Sequence, residues 1–315
     1  MALHDNLHIA KKRKDNEYYT QLEDVKAELI HYGECFRGKR VYLNCDNPVC
    51  SEFWTYFRYH FNELGLRSLT ATYLGAENKY VYEKNVTKII PLEEKSGDFR
   101  SKECVEILRE SDIVVTNPPF SLFGEFINLI IDNHKDFLVL GMTIAVTKEK
   151  LFWEIQNNRA VTGYTNPQYF IKADGSIRCS GSIQWYTSLK TGKVNKFLEL
   201  KEKYNPAKHR MCKNYDAVFV ERLKHIPCDY KGKICVPLTF ASRYNPEQFE
   251  ILGMTIPACM PNNEKIVLGD EFVERTKDKS KNRIYANTFG LWYEDEKTGE
   301  AKISFPKIII KNRTL

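Results

Sequence analysis

The run Asp112-Ile113-Val114-Val115-Thr116 breaks into Asn117-Pro118-Pro119-Phe120, and this junction constrains the fold more than any other segment. Consecutive β-branched apolar residues suit a strand buried on both faces. Two successive prolines cannot continue a ladder, because each lacks an N–H and holds φ near about −65°. The chain must therefore end a buried strand here and turn. In an open α/β sheet the C-terminal ends of such strands are where ligands bind. Rigid carbonyls, a side-chain amide and an aromatic face suit a planar group carrying an NH2, such as adenine.

The surrounding pattern supports an α/β sheet. Arg40–Asn44, Ser68–Leu74, Ile113–Val115 and Asp136–Gly141 read as strands, alternating with helices at Ser51–Leu64, Lys102–Arg109 and Phe123–Asn133. Residues 22–36 read as a further helix. Phe53, Trp54, Phe57 and Phe61 recur at helical spacing and are expected in the core. Lys79–Glu83 and Val86–Pro91 read as a hairpin turning at Lys84-Asn85, and Ser182–Leu189 as an antiparallel edge strand. Strands alternating with helices over this length imply a mostly parallel, doubly wound sheet.

Beyond about residue 200 the texture changes to prolines, glycines and short runs: Ala217–Val220, Ile234–Pro237, Ile266–Leu268, Ile303–Phe305 and Lys307–Lys311. These predict a smaller β-rich region over 201–315 beside a domain over 1–200. Two basic stretches stand out, Lys11-Lys12-Arg13-Lys14 and the series Arg275, Lys277, Lys279, Lys281 and Arg283. As solvated segments they need no partner; as arms or loops they could follow a phosphate backbone. The formal charge of +6 permits a polyanion and proves none. Nine scattered cysteines without a C-x-x-C pair argue against a zinc site and for reduced thiols. With no apolar stretch of spanning length and no leader-like segment, a soluble, cytoplasmic protein is expected, with no metal and no membrane partner.

Asn117-Pro118-Pro119-Phe120 resembles the [D/N/S]-P-P-[Y/F/W] motif of S-adenosylmethionine-dependent amino-methyltransferases. Taken with Glu17–Gln21, Leu43–Phe53 and Asn245–Ile251, the chain resembles the EcoRI-type adenine-specific DNA methyltransferases over most of its length. The resemblance implies a class I methyltransferase, Rossmann-like catalytic domain followed by a C-terminal target-recognition region. It implies methyl transfer from S-adenosyl-L-methionine to adenine N6 in double-stranded DNA, with a cognate restriction endonuclease or as a lone modification enzyme. Asn117 and Pro118 would accept the amine's hydrogens, Pro119 would stiffen the turn and Phe120 would stack on a base flipped from the duplex.

Tyr19 and Thr20 match the N-terminal cofactor motif, with Thr20 placed for the carboxylate end. Asn44, Cys45, Asp46 and Pro48 match the loop after the first strand, Asp46 taking the cofactor's amino group. Asp98 would meet the amino group of the cofactor's adenine and Phe99 its face. The first-strand loop departs from the family pattern by having no glycine, and Asp46 and Asn47 also suit an Asx turn. No clear acidic residue for the ribose follows the second strand, Glu77 being the nearest. Two other functions remain open: N-methyl transfer to RNA or to a protein glutamine, and a non-catalytic nucleic-acid-binding module that has lost its cofactor.

Overall fold

The Ile-Val-Val run lies within a strand, Ile113–Thr116, that is buried at every position in the middle of an eight-stranded sheet. The computed structural model describes residues 18–167, 169–172, 177–179, 181–193, 195–277, 284–295 and 297–315. Lys11, Lys12, Arg13, Lys14, Lys279, Lys281 and Arg283 lie outside them, as does the side chain of Tyr19. The chain divides into two units, Met1–Ala145 with Ala160–Lys193, and Val146–Arg159 with Val194–Leu315. Among the described residues no helix is long and apolar enough to cross a membrane.

The strands of the first unit are β1 (Tyr18–Thr20), β2 (Arg40–Leu43), β3 (Ser68–Ala71), β4 (Asn78–Glu83), β5 (Val86–Pro91) and β6 (Ile113–Thr116). They continue with β7 (Asp136–Met142), β8 (Val161–Thr162), β9 (Tyr169–Lys172), β10 (Ile177–Cys179) and β11 (Ile183–Thr187). Its helices are α1 (Leu22–Leu29), α2 (Glu52–Tyr59), α3 (Lys102–Glu110) and α4 (Phe123–Asp132). The large sheet runs β5-β4-β3-β2-β6-β7-β11-β8. β3, β2, β6 and β7 are mutually parallel, and the strands on either side of them pair antiparallel. The architecture is thus mixed α/β with a parallel centre.

Both faces of that centre are covered, which is why β6 carries no polar alternation. On one face Val41, Leu43, Leu69, Ile113, Val115, Leu138 and Leu140 pack with α1 and the aromatics of α2. On the other, Cys104 of α3 meets Thr72, and Phe123 of α4 packs on Tyr186. Phe53, Trp54, Phe57 and Phe61 are core residues, as their spacing predicts. Ser51 caps α2 by accepting the Trp54 N–H at 3.2 Å, and Ser101 caps α3 in the same way through Cys104 at 3.3 Å.

Several elements differ from the sequence reading. Ser182–Leu189 is no edge: β11 is flanked by β7 and by β8, a two-residue strand too short to show a pattern. The predicted hairpin forms, with Lys84 and Asn85 at φ 51° and 62° as a two-residue hairpin turn requires, and β5 takes the sheet edge. Residues 22–36 make α1 and then a 3-10 segment, Ile30–Phe36. A separate three-stranded sheet, β1-β9-β10, was not legible, because its pairing joins residues about 150 apart in sequence through antiparallel register Thr20↔Phe170.

The second unit contains α5 (Glu149–Gln156), β12 (Val218–Phe219), β13 (Ile234–Pro237), β14 (Phe249–Met254), α6 (Gly269–Thr276), β15 (Trp292–Glu294), β16 (Ala301–Ile303) and β17 (Lys307–Asn312). One sheet runs β12-β13-β17-β14, and β15 pairs with β16. Ile266–Leu268 is not a strand; among the described residues Val267 forms an isolated bridge with Phe289. Arg275 ends a helix where a loop was expected.

Candidate functional site

From β2 the chain passes through α2 to β3 on one side, and later through α3 to β6 on the other. Two adjacent parallel strands whose connections leave in opposite directions open a crevice beyond their C-terminal ends. Asn44–Pro48 leaves β2 at that place, and Asn117–Phe120 leaves β6. The three-residue turn Gly97–Phe99 precedes α3. A Cβ at Gly97 would overlap the carbonyl oxygen of Tyr73, so only glycine lets this turn approach the end of β3.

Asp46 organises the loop after β2. Its N–H donates to the Thr72 carbonyl at 3.1 Å, tying the loop to the end of β3. Its carboxylate is buried and accepts the Ser51 hydroxyl at 2.8 Å and the Thr116 hydroxyl in a very short bond. Thr116 is the residue before Asn117, so one side chain joins the two strand ends that frame the crevice. Desolvation raises the Asp46 carboxyl to about 6, although the Thr116 and Ser51 hydroxyls oppose the shift. The Asx turn falls instead to Asn47, whose Oδ1 accepts the Val49 N–H at 3.0 Å.

Cys45 precedes Asp46 in the same loop. Burial, then the charges of Asp46 and Asp98, push its thiol well above its ordinary value. Gly97 packs on the Tyr73 carbonyl and Asp46 bonds the Thr72 carbonyl, so the Gly97–Phe99 turn and the β2 loop both rest on the end of β3. Asp98 accepts the Arg100 N–H at 3.0 Å and pairs with the Arg100 guanidinium at 2.8 Å. Phe99 is buried, edge-to-face with Phe126 at 5.4 Å between centroids. Asn44 is buried, and among the described residues its Oδ1 meets no hydrogen-bond donor. A buried acceptor without a donor costs about 1–3 kcal/mol, so the position favours a ligand that brings one.

Asn117 is half-buried, and its Nδ2 donates to Thr20 Oγ1 at 3.3 Å. That bond orients the amide so that its oxygen points away from Thr20. The Leu122 N–H takes the carbonyl of Pro119 at 2.9 Å, closing a 3-10 turn before α4, so the Pro119 carbonyl is engaged by the turn. Phe120 is half-buried against the core below the turn. Thr20 itself is buried, in β1.

The element that holds β1 in place escaped the sequence reading. Glu28 of α1 is fully buried and accepts the Tyr164 N–H at 2.8 Å, the Thr165 N–H at 2.7 Å, the Thr165 hydroxyl at 2.7 Å and the Tyr32 hydroxyl at 2.7 Å. It fastens α1 to the segment between β8 and β9, and β9 pairs with β1. In sequence Glu28 is one more charge on an amphipathic helix, without a distinguishing neighbour.

In the second unit, Arg275 pairs with Glu294 at 3.2 Å and Glu271 at 3.5 Å, and its guanidinium lies 5.9 Å from the Trp292 ring centroid. Lys277, just past α6, is exposed. Asn245 and Gln248 turn towards the chain itself: Asn245 Nδ2 donates to the Asn195 carbonyl at 2.6 Å, and Gln248 exchanges two bonds with the Leu198 backbone.

The model of a family described as "Adenine-specific methyltransferase EcoRI" matches residues 6–89 and 76–313. The Type II methyltransferase M.EcoRI of Escherichia coli is 37% identical over 287 residues, covering 78% of this chain and 88% of that protein. M.MpnI of Mycoplasma pneumoniae is 34% identical, covering 96% of this chain and 97% of that protein. M.MgeORF184P of Mycoplasma genitalium is 36% identical, covering 80% and 86%. No solved structure gives a significant match. A strand-end Asn-Pro-Pro-Phe turn, a buried acidic loop beside it and a match along nearly the whole chain place this protein in the EcoRI family of adenine-specific methyltransferases.

Proposed function

We propose that the protein methylates adenine at N6 in double-stranded DNA at a specific short site, taking the methyl group from S-adenosylmethionine. The single observation that carries this reading is the placement of Asn117. Its amide nitrogen is anchored on Thr20 and it leaves the end of β6 next to the Asp46 loop. The adenine N6 lone pair is delocalised into the ring, so the amine is a weak nucleophile. Asn117 Oδ1 and the Pro118 carbonyl accept its two hydrogens, return electron density to nitrogen and aim it. Phe120 supports the ring. The base reaches this turn only after leaving the duplex.

S-adenosylmethionine, when bound, supplies an electrophilic methyl on a sulfonium, and the chain contributes orientation and charge. The residues present fit such a group. Asp46 offers a buried carboxylate to its ammonium, and Asn44 Oδ1 accepts one of its N–H or O–H donors. Asp98 would take the exocyclic amine of its purine beside Phe99, while Thr20, Cys45 and Pro48 would shape the surroundings. Proton loss from N6 follows transfer, with solvent as the final acceptor, so no separate general base is needed before the methyl group moves. The parallel centre with its β2/β6 switch point supports a class I methyltransferase fold for residues 1–200. The region after residue 200 would then supply target recognition, with Lys277 and its basic neighbours along phosphate.

The test is Asn117→Ala assayed with methyl-labelled S-adenosylmethionine and duplex DNA, followed by nucleoside analysis. Transfer to N6-methyladenine should fall by roughly 10²–10³-fold, the scale of losing one oriented polar contact to the reacting centre. Affinity for S-adenosylhomocysteine should change by less than about threefold. Near wild-type labelling by the variant would remove Asn117 from the reaction.

A further inference from the structure

Arg100 follows Asp98 and Phe99 and has no part in the reading above. Its Nη2 donates to Asp98 Oδ2 at 2.8 Å and its Nε to Oδ1 at 3.0 Å, a two-pronged contact that fixes the plane of the carboxylate. Its Nη1 reaches Glu125 Oε2 at 3.2 Å, in the first turn of α4. The guanidinium carbon lies 5.5 Å from the Phe99 ring centroid. One side chain therefore touches both residues assigned to the cofactor's purine, and also the helix that begins directly after Asn117–Phe120.

We propose that Arg100 is a positioning residue for the purine of the methyl donor. It locks Asp98 in the orientation that accepts the exocyclic amine and ties that turn to α4. This rests on the reading that Asp98 receives that amine. One physical need points to the role. An aspartate held only by its own rotamer loses orientation at each ligand encounter, whereas a bidentate fork removes that freedom before binding. The Arg100 guanidinium stays half-exposed, while the Asp98 side chain it holds is 18% exposed. A carboxylate can accept from several donors at once, so holding Arg100 and accepting an amine are compatible.

The experiment is calorimetry on the full-length protein and on Arg100→Gln with two ligands. One is S-adenosylhomocysteine; the other is its analogue with hydrogen in place of the purine 6-amino group. Wild type should prefer the amino compound by about tenfold, the scale of one charge-assisted hydrogen bond. Arg100→Gln should lose about tenfold for S-adenosylhomocysteine and stay within about twofold for the analogue, bringing the preference close to unity. Retained binding of the analogue also shows that the variant is folded. Equal losses for both ligands would reduce Arg100 to a structural support of the turn. Undiminished preference would show that Asp98 needs no fork. Should wild type itself show no preference, the assignment of Asp98 to the purine amine fails, and the role of Arg100 falls with it.

Discussion

Asp46 and Asn47 differ by a carboxylate oxygen against an amide NH2 and sit side by side, yet burial gives them different work. Asn47 closes its own turn, while Asp46 points into the protein, where two hydroxyls and no cation face it among the described residues. Its carboxyl is raised from 3.8 to about 6, so the folded protein holds a proton more tightly than the unfolded chain. The sign follows: this group's stabilising contribution is full below pH 3.8 and is lost as pH rises through about 6. The ligand-free wild type should therefore gain thermal stability relative to Asp46→Asn as pH is lowered from 7 to 5, measured by paired melting curves. Cofactor binding should run the opposite way, since only the carboxylate attracts an ammonium. Affinity for S-adenosylhomocysteine should weaken as pH falls through about 6 in wild type, and Asp46→Asn should bind weakly with little pH dependence.

At the scale of elements, the site depends on a fastening made far from it in sequence. Glu28 holds the segment between β8 and β9, β9 carries β1, and β1 presents Thr20 to Asn117. Gly163 is required beside it, because a Cβ there would overlap Glu28 Oε1 and stand 2.5 Å from Trp185 Cβ. Glu28→Gln turns an amide N–H2 towards backbone donors and should cost about 2–3 kcal/mol in urea unfolding, from buried donors left unbonded. Gly163→Ala should cost about 1–3 kcal/mol by overpacking. Both variants should also lose methyl transfer beyond their loss of folded protein, because Thr20 no longer holds the Asn117 amide. Unchanged turnover per folded molecule would separate this fastening from the site.

Across the whole molecule, the division into units does not follow the order of the chain. Val146–Arg159 belongs with the residues after 193, and α5 buries Leu151, Phe152 and Ile155 there while Gln156 Nε2 donates to the Ile251 carbonyl at 2.9 Å. A fragment of residues 194–315 should therefore expose an apolar surface and aggregate, and one with 146–159 joined to it should be more soluble and unfold at higher urea. Equal behaviour of the two would show that α5 adds nothing to that unit. The sequence alone determined that strands lie within 40–44, 68–74, 113–115 and 136–141, together with the hairpin turn and the Asn-Pro-Pro-Phe junction; the structure ends the second of them at Ala71. Those features are local: β-branching, proline geometry and side-chain period act over a few residues. Only the tertiary structure decided that β8 shields β11, that Glu28 and Gly163 meet, that Asp46 bonds Thr116 while Asn47 turns the loop, and that Arg100 grips Asp98 and α4. Most of these pair groups far apart in the chain, and all turn on burial and orientation that neighbouring residues do not specify, so no local pattern could announce them.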